Sequence, residues 1–180
     1  MSVVDEGLVL SGRPGVSTIQ VRTGAWYSDK VLALDFPADW EVCEVSPPPL
    51  PVLTDEAIGA SLECPVGQPP VRQLCRGSVR PLVIVDDLNR PTPASRVLPL
   101  LLGQFRDAGI SADNVRILMA GGTHGKAGTD AILKKVGVEA GASCQLMVHD
   151  PKGDCVHLGR TSFGTPILVN REVEIGRAHV

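Results

Sequence analysis

The sequence predicts an α/β fold in which a mostly parallel, doubly wound sheet carries helices on both faces and is preceded by a β segment. Three observations lead there. Residues 82–85, 115–119 and 145–148 are short apolar runs rich in β-branched or long aliphatic side chains, the pattern of strands buried in a parallel sheet. Residues 94–108 and 129–136 lie between them with apolar positions at helical spacing. Strand, helix, strand, helix, strand in this order, with connections long enough for right-handed crossovers, is the Rossmann-like arrangement.

The elements follow in chain order. Residues 17–22 alternate apolar and polar, Gly24-Ala25-Trp26-Tyr27 breaks the pattern, and residues 30–35 resume it, which predicts an N-terminal hairpin. Pro47, Pro48, Pro49 and Pro51 deny helix and central strand to residues 46–53, leaving an extended connector. Thr54 is a good N-cap, Asp55 and Glu56 suit the first turn, and Ile58 and Leu62 share a stripe, so a helix runs from there until Pro65 and Gly67 stop it. In the next helix Val97, Leu98, Leu101, Leu102 and Phe105 form the buried side, Pro99 strains an early turn and Gly109 ends it. Gly137 closes the helix over residues 129–136.

At 180 residues, 43% hydrophobic and 21% charged, the chain can bury a core, as one domain or as a large piece of a longer protein. Seventeen Lys and Arg against 20 Asp and Glu give a net charge of -3, so there is no basic field for a nucleic-acid backbone. Two Trp, one Tyr and three Phe are too few for base-stacking platforms, and the core is aliphatic. Five cysteines without a C-x-x-C pair predict reduced, mostly buried thiols rather than a disulfide framework or zinc knuckle. The first residues show no signal-peptide pattern and no apolar run approaches a bilayer span, so the expected location is the cytoplasm, with no membrane partner.

In open parallel sheets ligands bind beyond the carboxyl ends of the strands, so the residues just after each apolar run are the candidates. The first run is followed by Asp86-Asp87-Leu88-Asn89-Arg90-Pro91-Thr92-Pro93, where carboxylate, amide and guanidinium precede a helix, a combination suited to an anionic ligand. After the second comes Ala120-Gly121-Gly122-Thr123-His124-Gly125, small residues that let a ligand approach the backbone, with one imidazole. After the third comes His149-Asp150-Pro151. Singly, each has a structural explanation as a local salt bridge, a turn or a loop cap; their coincidence at neighbouring strand ends favours a site. No G-x-G-x-x-G or Walker loop is present, which removes the usual signatures of NAD and ATP.

These stretches, together with Leu158-Gly159-Arg160-Thr161-Ser162-Phe163-Gly164-Thr165-Pro166 and Val169-Asn170-Arg171, resemble in order the N-terminal domain of the nickel-dependent lactate racemase family. The likeness extends upstream through Cys64-Pro65-Val66-Gly67 and Gly24-Ala25-Trp26-Tyr27. It implies a racemase or epimerase of small 2-hydroxy acids that removes and returns a hydride at C2. The implied cofactor is a nickel-pincer nucleotide, nickel pyridinium-3,5-bisthiocarboxylic acid mononucleotide. By the resemblance, cofactor contacts fall on Asp87, Leu88, Asn89 and Arg90, Arg90 also steadies the substrate, and His124 is one of two general bases. A neutral imidazole suits proton exchange with the hydroxyl near neutral pH, and a guanidinium suits the carboxylate because two parallel hydrogen bonds orient it.

Gly125-Lys126 replaces the Arg-Pro common after the family's histidine, which bears on substrate preference. The family's second catalytic histidine, its cofactor-anchoring lysine and its nickel-ligating histidine all lie downstream of the asparagine-arginine motif. No residue here is therefore assigned to the metal, and His179 is rejected as the second base because its spacing is too short. Residues 1–173 are expected to be an incomplete protein's N-terminal domain, inactive alone, with residues 174–180 a non-native tail resembling a translated sequencing adapter. Two other readings stand beside this one. A stand-alone nucleotide- or anion-binding module would need no downstream groups; metal-dependent hydrolysis through His124, His149 and Asp150 would need ligands that the spacing does not bring together.

Overall fold

The structure is a computed structural model and describes residues 16–27, 29–43, 45, 48, 50–123, 128–153 and 155–175. The chain divides into two compact units, one containing residues 1–24 and 28–51, the other residues 25–27 and 52–180. The division at Pro51 falls within the proline-rich connector.

In the first unit β1 (Val16–Arg22) and β2 (Val31–Pro37) pair antiparallel, with Arg22 opposite Val31 and Ser17 opposite Phe36. The hairpin is closed by the Arg22–Asp29 ion pair at 2.6 Å and by Thr18 Oγ1 donating to Asp35 Oδ1 at 2.8 Å.

The second unit begins with α1 (Asp55–Glu63), where the Thr54 hydroxyl accepts from Ala57 N at 3.2 Å as the N-cap. A short α2 (Val71–Leu74) follows, then β3 (Leu82–Asp86), α3 (Ala94–Asp107), β4 (Arg116–Ala120), α4 (Thr129–Val136), α5 (Val138–Ser143) and β5 (Gln145–Val148). The hairpin of β6 (Cys155–Arg160) and β7 (Pro166–Asn170) and the short α6 (Arg171–Ile175) complete the described part. Strands β3, β4 and β5 lie in that order and pair in parallel, so the α/β class, the parallel sheet and the preceding β segment are as expected.

Because the strand order does not reverse, crossovers of one hand place α3 and α4 on the same side of the sheet. The core shows this: Val85, Ile117 and Met119, at alternating positions on one face, cluster with Leu98 and Phe105 of α3 and Ile132 and Val136 of α4. Arg116 and Leu118 take the opposite face, where Glu172 of α6 meets Arg116. That face is less covered at β3, whose Ile84 is 55% exposed, so burial on both faces holds for β4 and not for β3. The sequence expectation for the cysteines is likewise corrected. Of the five, Cys144 alone is buried; Cys43 and Cys64 are exposed.

Polar side chains fasten the outer helices. Buried Gln104 of α3 donates through Nε2 to Glu63 of α1 and accepts from Arg72 N of α2 at 3.1 Å, and Arg72 also pairs with Glu63. Arg96 of α3 donates to Leu53 O at 2.7 Å and Asp55 Oδ1 at 2.6 Å, which fixes the start of α1. Between α4 and α5 the chain turns at Gly137 with φ 90°, a left-handed conformation that favours glycine.

Candidate active site

The carboxyl ends of β3, β4 and β5 open onto a cavity of about 940 Å³. After β3 its wall is Asp87, Leu88 and Asn89; after β4 it is Gly121 and Thr123. The start of α4 contributes Thr129 and Ile132, and the segment after β5 contributes His149, Asp150 and Lys152. The ends of β4 and β5 run close together, since a Cβ on Gly121 would lie 3.4 Å from His149 O.

The turn after β3 is held from inside. Arg90 N donates to Asp87 O at 3.2 Å, closing a four-residue turn, while Asn89 donates from its backbone to Asp87 Oδ1 at 3.2 Å and from its amide to Asp87 Oδ2 at 2.9 Å. The Tyr27 hydroxyl donates to Asn89 Oδ1 at 3.3 Å. The Asp87 carboxylate is thus oriented before any ligand arrives.

The same turn is held from beneath by a residue that the sequence reading did not select. Lys135 of α4 is fully buried, and its Nζ lies 2.6 Å from Asp86 Oδ1, 2.5 Å from Asp87 O and 2.9 Å from Arg90 O. Three acceptors match the three N–H bonds of an ammonium. Its charge also sits 5.5 Å from the ring centroid of Trp26, whose Nε1 donates to the same Arg90 O at 2.7 Å. A sequence signal existed: Lys135 follows Ala131 by four residues and Ile132 by three, so it occupies the apolar stripe of α4 rather than its solvated side.

Burial opposes ionisation of Asp86, but hydrogen bonds from Lys135 and Thr92 and the charge of the ammonium outweigh it, holding the carboxyl below its usual range. A carboxylate with a lowered folded-state value stabilises the fold above its unfolded value of about 3.9, and that contribution disappears as the pH falls through the folded value. Asp86→Asn should therefore flatten the acid side of the stability curve, measured by urea unfolding between about pH 3 and pH 7. An unchanged slope would refute the pairing.

His149 is partly buried beside Asn170, with Asn170 Nδ2 3.4 Å from its Nδ1. The amide's orientation follows from the other end, because Asn170 Oδ1 accepts from Glu172 N at 2.9 Å. The Asn170 amide therefore presents its N–H bonds toward the His149 ring.

Of the residues selected from sequence, Asp87, Leu88 and Asn89 border the cavity. Arg90 stands next to it, exposed and outside its lining. His124 lies outside the described residues; Thr123 and Gly128 on either side of that segment border the cavity. Among the described residues no three His, Cys, Asp or Glu side chains converge as a metal site, and no helix is long and apolar enough to cross a membrane.

Residues 27–177 match the family described as the lactate racemase N-terminal domain. The lactate racemase of Lactiplantibacillus plantarum is 27% identical over 118 residues, 64% of this chain and 28% of that protein. The lactate racemase of Thermoanaerobacterium thermosaccharolyticum is 33% identical over 98 residues, 54% of this chain and 23% of that protein. The solved structure of the lactate racemase apoprotein from the latter organism superposes with a TM-score of 0.59 at 24% identity, covering 86% of this chain and 36% of that one, a likeness of fold. The matched regions thus span about a quarter of the curated relatives' length.

Proposed function

The chain belongs to the lactate racemase N-terminal domain family, and from that membership we propose that it forms the cofactor-contacting part of a site that racemises or epimerises 2-hydroxy acids of the lactate type. The observation that supports this most is that the Asp87–Asn89 turn and the Gly121–Thr123 segment, two of the stretches that carry the likeness, border one cavity.

A nickel-pincer nucleotide fits what is there. The oriented Asp87 carboxylate and the Asn89 amide suit hydroxyl and amide groups of a nucleotide, and the cavity is roomy enough for a mononucleotide. When bound, that group supplies the place where the C2 hydride is taken up and from which it returns. In this proposal the remaining work belongs to the chain. Arg90 receives the substrate carboxylate through paired hydrogen bonds and so fixes which atoms face the reacting centre. His124 takes the hydroxyl proton as the carbinol is oxidised and gives it back on reduction. In this reading the covalent anchor and the nickel-ligating histidine lie downstream of the asparagine-arginine motif, and turnover is expected of the full-length protein.

The test is interconversion of D- and L-lactate by the full-length, cofactor-loaded protein. Turnover is expected, reduced about 10²- to 10⁴-fold by His124→Ala, the range for removing a general acid–base group. Absence of turnover in the full-length protein, or undiminished turnover in the variant, would overturn the assignment.

A further inference from the structure

We propose that Lys135 is a positioning residue: its buried ammonium clamps the Asp86–Arg90 turn to α4 and thereby sets the two walls of the cavity against each other. The acceptors it takes are spread over the turn, one on the side chain of Asp86, one on the backbone of Asp87 and one on the backbone of Arg90. It therefore fixes both ends of the segment from which Asp87 and Arg90 project. Its own helix carries the opposite wall, since Thr129 and Ile132 border the cavity and Lys135 continues the same face three residues later. One side chain spans turn and helix, and Trp26 closes the arrangement by donating to the Arg90 carbonyl that Lys135 also holds.

A purely structural ion pair would behave differently. Replacing both partners of a buried pair by neutral residues is often tolerated in stability, whereas removing one leaves an uncompensated charge. If the pair served stability alone, loss of both charges would restore everything that loss of one had damaged. If Lys135 positions the turn, neutralising both restores stability and leaves the Asp87 and Arg90 carbonyls without their shared donor. The consequence for turnover rests on the racemase reading; the clamp itself does not.

The test compares Asp86→Asn, which leaves the fully buried ammonium without its carboxylate, with the double variant Asp86→Asn/Lys135→Met in the full-length protein. Expected results are a lowered melting temperature in the single variant that largely recovers in the double, while hydrogen exchange at the Arg90 amide, which closes the turn onto Asp87 O, accelerates in the double. Lactate kcat/KM should fall about a hundredfold in the double, the scale of a roughly 1 Å misplacement of reacting groups. A double variant with wild-type exchange at the Arg90 amide or wild-type kcat/KM overturns the proposal. Accelerated exchange in a protein whose wild type has no lactate turnover removes the racemase reading and leaves the clamp standing.

Discussion

Glu172→Leu should lower the unfolding free energy by about 3 kcal/mol, the low end of the range for stripping one partner from a buried ion pair. Its partner Arg116 is 1% exposed on the less covered face of the sheet. Arg116 donates from Nη1 to Glu172 Oε2 at 2.5 Å and Glu172 O at 3.2 Å, and from Nη2 to Arg80 O at 3.1 Å, while its buried Nε has no partner among the described residues. Without the carboxylate, a guanidinium already short of one acceptor would keep only neutral carbonyls. The low end applies because the Glu172 side chain is 30% exposed, so water softens the attraction that is lost. Arg116→Leu/Glu172→Leu should cost clearly less than the single change, because no charge is then left buried. Urea unfolding of the three proteins decides it; equal losses in single and double variants would show that the guanidinium is compensated elsewhere.

Much of the second unit was legible because its signals are local. The Thr54 cap, the apolar stripe ending at Gly109, and Gly137 after Val136 each specify an element boundary through backbone chemistry that neighbouring residues complete. The hairpin of β6 and β7 was not legible. In β6 an irregular register between His157 and Gly159 breaks the alternation, and β7 carries an unbroken Ile167-Leu168-Val169 run in place of one. Helix α5 escaped because Val138–Ser143 is too short for a stripe to register and contains Gly141. For the site, topology explains what could be found: residues immediately after parallel strands share one edge whatever their separation in sequence, which brings Asp87, Thr123 and His149 to one cavity. What holds those residues depends on packing instead. Trp26 and Lys135 come from segments far from the Asp87 turn, and only the fold shows that both reach the Arg90 carbonyl.

A large effect on activity is expected from Arg90→Lys if its guanidinium receives the substrate carboxylate, as proposed. The Arg90 backbone is fixed on both sides, its N–H donating to Asp87 O at 3.2 Å and its carbonyl accepting from Trp26 and Lys135, so the side chain is launched from a rigid base. The side chain itself is exposed. Substitution should therefore leave the stability within about 0.5 kcal/mol of wild type, as at ordinary surface positions. Binding is another matter. A guanidinium meets a carboxylate with two parallel N–H bonds that fix the plane of the acid, whereas an ammonium offers a compact charge on a flexible stem and fixes no plane. Forfeiting one charge-assisted hydrogen bond is worth about 1.5–3 kcal/mol, so under the proposed function lactate kcat/KM in the full-length protein should fall roughly 10- to 100-fold although the charge is conserved. Arg90→Ala should fall further, since it loses the attraction as well as the orientation. If Arg90→Lys instead turned over lactate at close to the wild-type rate, the carboxylate would have to be received elsewhere, and Arg90 would be left with a role at the cofactor alone.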